Sequence, residues 1–386
     1  MNTLEKLQRL GAAASWDSCG GVKQKSFRKA GIPASYAPFI HDCAATSEQC
    51  KLVKVLQSNA CTHDCKYCVN STHIQKKVEL EPLELAESFS AFERKGIVQG
   101  LFLSSAVTGN AEKATEKMIE TAQLLRNRFG YKGYMHLKVL PDAPKWQVFE
   151  LANYADRLSI NLEAPNSGFF ARLGSTKNYN SDLLKRLHWI DEAKGRGKVL
   201  SFTTQLILGA AGETDLDVLE TMDSLYRETR LHRAYFSAFQ PVQGTALEKQ
   251  QAEKEFRESQ LYQADWLLRE YKFRLREIKL GLDESNNFGN ARDIKFRIAL
   301  NNENLFPVDV NYAGREELLR VPGIGLKGAE KIILQREQKK FQNLKDLKKA
   351  GIITRRAQGF VEMEKQRQAR ISAYCQPLQL NGHGKH

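Results

Sequence analysis

The sequence predicts an α/β protein with a parallel sheet, followed by a small, basic, all-α C-terminal domain. Three observations carry this prediction. From residue 52 onward, short β-branched apolar runs alternate with amphipathic helical patterns, and the alternation recurs six times. Near 280–305 ("GLDESNNFGNARD") the pattern weakens, as at a domain junction. Beyond 306 only short helical patterns remain, and they are rich in lysine and arginine.

Residues 52–58 (LVKVLQS) read as the first strand, which runs into a loop carrying three cysteines. A helix follows over 81–96, with Pro82 in its first turn and Leu85, Phe89 and Phe92 along one face. Residues 97–105 (IVQGLFLSS) form the second strand, and the next helix opens at Asn110 as cap and stops at Gly130. The third pair is YMHLKVL with PKWQVFELANYA, the fourth RLSINLEA with SDLLKRLHWIDEAKG. VLSFTTQLIL with a helix capped by Thr214 is the fifth. AYFSAF (234–239) and a long helix near 246–275 complete the sixth.

Six strand–helix units in succession imply parallel strands with right-handed crossovers. An open, partial barrel and a doubly wound sheet both satisfy this pattern. In either, function belongs at the carboxyl ends of the strands, where the cysteine loop lies. The expected organisation is an N-terminal cover segment (1–50, a helix plus irregular chain), a sheet domain (51–280), a junction (281–305) and a C-terminal helical domain (306–386).

Composition narrows the setting. The 386 residues are 42% hydrophobic and 27% charged, as in folded globular proteins. No run of eighteen apolar residues occurs, so a membrane span is not expected. The start, MNTLEKLQRLGAAAS, has no continuous apolar segment of the secretory type. Seven cysteines, three of them clustered, point to metal binding in a reducing, cytoplasmic setting rather than to a disulfide framework. The net charge of +13, concentrated over 327–356, favours a polyanionic partner.

The cysteine loop, NACTHDCKYCVNS (59–71), sets Cys61, Cys65 and Cys68 in a C-x3-C-x2-C run. A closed zinc site needs four protein ligands. Cys50 starts the first strand and Cys61 follows its end, roughly 25 Å away at about 3.3 Å per residue. Cys375 lies in the other domain, and Cys19 and Cys43 lie in the cover segment. A Cys3His zinc site using His63 or His73 is the competing reading. An iron–sulfur cluster accepts three thiolates on three different irons and leaves the fourth iron open to a small chelating ligand.

C-x3-C-x2-C with Tyr67 before the last cysteine, directly after the first strand of a β/α repeat, resembles the radical S-adenosylmethionine (radical SAM) superfamily. The resemblance implies a partial, TIM-like (β/α)6 barrel and a four-iron four-sulfur cluster on Cys61, Cys65 and Cys68. It also implies S-adenosyl-L-methionine bound at the open iron and cleaved to a 5′-deoxyadenosyl radical, with an electron donor such as flavodoxin or ferredoxin. Cofactor contacts then fall to Tyr67, to Ser104 and Ser105 in place of the family's Gly-Gly-Glu, and to Glu163. Ile207 and Gly209 would lie against adenine, with the backbone of Phe239–Pro241 at its edge.

A second pattern, AGREELLRVPGIGLKGAEKIILQRE (313–337), resembles the helix-hairpin-helix motif of DNA repair and replication proteins. Gly323, Ile324, Gly325 and Lys327 would bind DNA there. Glycines let backbone N–H groups approach a phosphate at a helix N-terminus, and the lysine adds charge. Such a hairpin holds the backbone without reading sequence. Together, the two patterns, with YFSAFQPVQGTAL and NENLFPVDVNYAGREELLRVPGIG, resemble a narrower group of radical SAM proteins assigned to DNA modification or repair. Members of that group are linked to a uracil-DNA-glycosylase-like partner. The alternatives are a radical SAM enzyme acting on RNA or protein, and a non-catalytic DNA-binding protein with a structural metal cluster.

Overall fold

The structure, a computed structural model, describes residues 1–15, 17, 33–43, 50–71 and 76–363. Cys19, His73 and Cys375 lie outside these residues. The chain divides into two compact units, one of residues 1–213 and 221–258, the other of residues 214–220 and 259–386. The 281–305 stretch therefore lies inside the second unit.

The first unit opens with helix α1 (Thr3–Ala14), capped by Asn2, whose side chain accepts the Glu5 N–H at 2.9 Å. The sheet has seven strands in chain order: β1 (Ile40–Cys43), β2 (Cys50–Leu56), β3 (Gly100–Ser104), β4 (Tyr134–Lys138), β5 (Arg157–Ser159), β6 (Ser201–Leu208) and β7 (Arg233–Ala238). β2 to β7 are parallel neighbours, with Leu52 beside Gly100, Gly100 beside Tyr134, and Thr203 beside Arg233. Because strand order follows chain order from β1 to β7 without closure, the sheet is an open half-barrel. The six-unit reading therefore holds, and the doubly wound alternative, which requires the order to reverse within the sheet, does not.

The N-terminal segment departs from the expected irregular cover. Ile40–Cys43 pairs antiparallel with β2, Ile40 opposite Val53. Four residues of mixed polarity (Ile-His-Asp-Cys) give too short an alternation to stand out as a strand.

The connecting helices are α2 (Pro82–Arg94), α3 (Ala111–Gln123), α4 (Lys145–Tyr154), α5 (Ser167–Leu173), α6 (Lys185–Gly195), α7 (Asp215–Glu228) and α8 (Glu255–Arg269). Their apolar faces do what the sequence pattern requires: Leu85 and Phe89 of α2 and Met118 and Ile119 of α3 are buried. Asn110 caps α3 by accepting the Lys113 N–H at 2.8 Å. The helix expected from about 246 begins only at Glu255. The chain before it runs in turns instead, with Leu247 N–H donated to the Lys66 carbonyl at 3.1 Å, which ties this stretch to the cysteine loop.

The second unit holds α9 (Leu275–Ile278), α10 (Ile294–Leu300), α11 (Arg315–Arg320), α12 (Leu326–Gln338), α13 (Leu344–Lys349) and α14 (Thr354–Ala357). Its core gathers Leu318, Val321, Ile324, Ile332 and Leu347. It is not purely helical. β8 (Val308–Asp309) pairs in parallel with β9 (Val361–Glu362), a two-residue ladder too short to read from sequence. No helix among the described residues is long and apolar enough to cross a membrane.

Candidate functional site

β2 ends at Leu56, and the loop beyond it is fastened at several points before the cysteines arrive. Gln57 N–H reaches the Ser104 carbonyl at 2.7 Å, Thr62 N–H the Val107 carbonyl at 2.9 Å, and Lys66 N–H the Leu173 carbonyl at 2.9 Å. Asp64, between the first two cysteines, is held by the hydroxyls and N–H groups of Ser175 and Thr176, at 2.6 to 3.0 Å. Although partial burial opposes ionisation, these bonds hold its carboxyl well below the usual range. Together, these bonds fasten the chain before Cys61 and on both sides of Cys65.

Cys61, Cys65 and Cys68 line a cavity of about 180 Å³ at the carboxyl ends of the strands. Each sulfur has a donor. His63 N–H points to Cys61 Sγ at 3.5 Å, Asn70 N–H to Cys68 Sγ at 3.3 Å, and the Lys177 ammonium hydrogen-bonds Cys65. Burial pushes the Cys65 thiol up, and burial together with the neighbouring Cys65 pushes Cys68 up to about 12. A cationic metal partner removes both penalties, since it binds the thiolate. Among the described residues, no three His, Cys, Asp or Glu side chains stand close enough to grip one metal ion. A four-iron cluster asks for less, because each thiolate reaches a separate iron.

Glu163 faces the same cavity in an unusual backbone state. Its φ is +64°, left-handed for a non-glycine residue. Two main-chain bonds to β6 hold it there, Glu163 N–H to the Gln205 carbonyl at 3.0 Å and Ile207 N–H to the Glu163 carbonyl at 2.8 Å. Its carboxylate receives the Tyr67 hydroxyl and, at 3.3 Å on Oε1, the Asn161 amide. Oε2 is buried without a partner among the described residues. Burial raises its pKa above the ordinary carboxylate value. A strained, buried carboxylate with an unused oxygen aimed at a cavity is the kind of group that waits for a ligand.

Ser104, Ser105, Tyr67 and Ile207 line this cavity together with the cysteines and Glu163, as do Phe239 and Gln240. Gly209 does not. It makes a turn at φ +81°, with its N–H on Glu213 Oε1 at 2.5 Å, and a Cβ there would stand 2.5 Å from the Glu253 carboxylate. Its glycine is explained by that turn. Pro241 is likewise absent from the lining.

Sequence reasoning missed Lys177, which follows α5 in a loop (GSTKNYN) with no periodic signal. It also missed the polar floor. Lys138 of β4 pairs with Asp17, which lies just beyond α1, and Asn161 reaches the same carboxylate at 3.4 Å. Alternation along β4 marks Lys138 as lying on the face opposite Leu137, but nothing local names its partner.

In the second unit, α11 ends at Val321 and α12 begins at Leu326, so the hairpin falls where the sequence places it. Its residues divide their duties differently than expected. Gly323 has φ +85°, and a Cβ there would stand 2.6 Å from the Ile353 carbonyl, so the fold itself demands glycine. Ile324 offers no donor to a phosphate: its side chain is in the core, its N–H goes to the Val321 carbonyl, and its carbonyl accepts Lys295 Nζ at 2.6 Å. The Leu326 N–H is taken by the Tyr271 hydroxyl. No backbone bond among the described residues uses the N–H of Gly323, Gly325 or Lys327, and the Lys327 side chain is exposed. Residues 327–356 carry ten Lys and Arg against three Asp and Glu.

The open half-barrel with a three-cysteine loop at the end of its first parallel strand defines the class. Residues 55–225 match the radical SAM superfamily and residues 303–357 the helix-hairpin-helix motif. The chain thus carries a radical SAM enzyme domain, of a superfamily that uses a four-iron four-sulfur cluster and S-adenosylmethionine, together with that motif. It is 23% identical over 188 residues to a tRNA-2-methylthio-N(6)-dimethylallyladenosine synthase of Lachnoclostridium phytofermentans, covering 48% of this chain and 41% of that protein. A synthase of the same name from Clostridioides difficile is 21% identical over 198 residues, covering 49% and 40%. The chain therefore spans about two-fifths of the length of these relatives. Among solved structures, it is similar to the FeFe-hydrogenase maturase HydG of Carboxydothermus hydrogenoformans, with 15% identity, a TM-score of 0.44, and coverage of 54% of this chain and 48% of that one. Methylornithine synthase PylB gives 12% identity and a TM-score of 0.43, covering 52% and 56%.

Proposed function

We propose that the protein is a radical SAM enzyme that acts on nucleic acid, with DNA as the substrate and modification or repair as the role. The observation that supports this most is the presence, in one chain, of the three-thiol cavity and a helix-hairpin-helix motif whose basic turn suits a phosphate backbone. Cys61, Cys65 and Cys68 would hold the cluster. When bound, the cluster and S-adenosylmethionine supply one-electron chemistry that yields a 5′-deoxyadenosyl radical, able to abstract hydrogen from a substrate.

The chain's own residues prepare the cavity for this. Glu163 offers a buried, pre-oriented acceptor for cofactor hydroxyl or amino groups, and Tyr67 fixes its carboxylate. Ser104 and Ser105 present hydroxyls at the end of β3. Lys177 places a positive charge beside Cys65 and Glu163; burial works against that charge, but these two neighbours outweigh it and hold its pKa above the usual value. The Lys138–Asp17 pair and Asn161 form a polar floor that a substrate or cofactor edge can meet. The hairpin would grip backbone through Gly325 and Lys327. A uracil-DNA-glycosylase-like partner and a flavodoxin or ferredoxin donor complete the proposal.

A second reading, RNA as substrate, is favoured by the relatives, whose names describe tRNA modification. The deciding experiment is anaerobic reconstitution followed by measurement of 5′-deoxyadenosine, alone and with duplex DNA, single-stranded DNA or tRNA. DNA-stimulated formation supports the proposal, and stimulation by tRNA alone replaces DNA with RNA. No cleavage in any arm, with iron loaded, refutes the enzyme.

A further inference from the structure

Beside the hairpin turn, within the second unit, lies a groove of about 390 Å³ lined by Tyr262, Gln263, Trp266, Leu267, Tyr271 and Lys295, with Ser259 at its margin. That volume is in the range of small-molecule sites, about 300–1,000 Å³. Two of its walls are also supports of the turn. The Tyr271 hydroxyl accepts the Leu326 N–H and the Trp266 indole N–H. Lys295 Nζ donates to the Ile324 carbonyl at 2.6 Å and stands 4.7 Å from the centre of the Tyr271 ring. The groove and the first turn of α12 are thus one continuous surface.

Its chemistry is that of a stacking platform. Trp266 is 45% exposed, a large aromatic surface left in water on α8, and Tyr262 and Tyr271 flank it in the groove. Arg269, paired with Asp265 and Glu270, lies 5.7 Å from the indole. Lys295 lies within the groove, where burial and then Arg320 pull its pKa down to about 7, and Arg356, paired with Asp293, is close enough to act on Tyr271. Aromatic faces with basic groups beside them, adjoining the turn proposed to hold phosphate, suit a base with its phosphate attached.

We propose that this groove seats an unpaired nucleobase of a single strand whose backbone lies on the hairpin turn. The proposal rests on the nucleic-acid reading above and narrows it. A paired base keeps its faces stacked inside the duplex and cannot enter a side groove, so the occupant is single-stranded or a base turned out of a helix. Stacking is indifferent to the sugar, so DNA and RNA strands share the chemistry.

The test uses the full chain and fluorescence anisotropy of labelled oligothymidylate, oligouridylate and a short DNA duplex at fixed salt. Trp266→Ala should weaken binding of both single strands by about 5- to 150-fold, the range for loss of one base–aromatic stack. It should leave the duplex within twofold, and Trp266→Phe should restore most of the loss. Trp266→Ala also removes the indole N–H to Tyr271, and Trp266→Phe, which lacks that bond but keeps an aromatic face, separates its loss from loss of stacking. Parallel losses on single strand and duplex, or no loss on either, overturn the groove while leaving the hairpin intact. If the wild type binds none of the three, the nucleic-acid reading fails and takes this inference with it. The ratio of oligothymidylate to oligouridylate affinity tells which strand the rest of the surface prefers.

Discussion

Replacing Glu163 by alanine and, separately, by glycine separates its strained backbone from the cofactor contact proposed for its carboxylate. Both substitutions remove the carboxylate that faces the cavity. A hydrogen bond to a charged acceptor contributes about 1.5–3 kcal/mol, so each variant should bind S-adenosylmethionine about 10- to 150-fold more weakly. They differ in the backbone. At φ +64° a side chain with a Cβ costs about 1–2 kcal/mol, which alanine retains and glycine releases. Glycine's freer unfolded chain takes back about 0.4–1 kcal/mol of that. Glu163→Gly should therefore be more stable than Glu163→Ala by about 0.8 kcal/mol at the middle of these ranges. Urea unfolding of the two apoproteins measures the first difference, and titration of the anaerobic, cluster-loaded forms measures the second. Equal stabilities would refute stored backbone strain, and wild-type cofactor affinity in both would remove Glu163 from the binding site.

The anaerobic protein should hold about four irons, lost in Cys61→Ala, Cys65→Ala or Cys68→Ala and kept in Cys50→Ala; stoichiometric zinc in their place would refute the cluster. Gly323→Ala should destabilise the second unit by about 1–3 kcal/mol in denaturant unfolding, because of its left-handed φ and the Ile353 carbonyl, whereas Gly325→Ala meets only the Tyr271 hydroxyl and should cost less. Lys327→Ala should lower affinity for duplex DNA about equally across sequences and flatten the log–log salt slope by about one; an unchanged slope would take Lys327 off the phosphate. His41 is held down to about 4 by burial and then by Lys54, against 6.5 when unfolded, so it folds as the neutral imidazole. Its contribution is intact above pH 6.5 and is lost as pH falls toward 4. Allowing for its partial exposure, His41→Gln should recover about 1–2 kcal/mol at pH 4, and identical pH profiles for the two proteins would refute the assignment.

What the sequence made legible was local. Cys61, Cys65 and Cys68 sit within eight residues of one another on a loop directly after a strand, and no distant information is needed to bring them together. Glu163 was readable as the last polar residue of a strand, but its left-handed backbone was not, because it is imposed by main-chain bonds to β6 about forty residues later. Lys177 and Asp17 were invisible for the same reason: each acts through a partner far along the chain. In the hairpin the pattern placed the turn, but it did not show which of its residues the fold itself uses. Ile324 serves the core and Gly323 is required by the fold, while the backbone donors left unused among the described residues are those of Gly323, Gly325 and Lys327, a division that depends on Ile353, Lys295 and Tyr271.

The bonds at Asp17 also set a clock. Lys138 lies 121 residues and Asn161 lies 144 residues beyond Asp17, and both must be present before the floor of the half-barrel can close. At synthesis rates of about 5–20 residues per second, that is a wait on the order of ten seconds after Asp17 is made. Through that interval the apolar face of α1, with Leu7, Leu10 and Ala14 all buried in the finished fold, has only part of its final setting. Closure over such separations also slows folding of the completed chain. Through that interval the floor of the half-barrel is open to misassembly, and slower synthesis across β4 and β5 lengthens it.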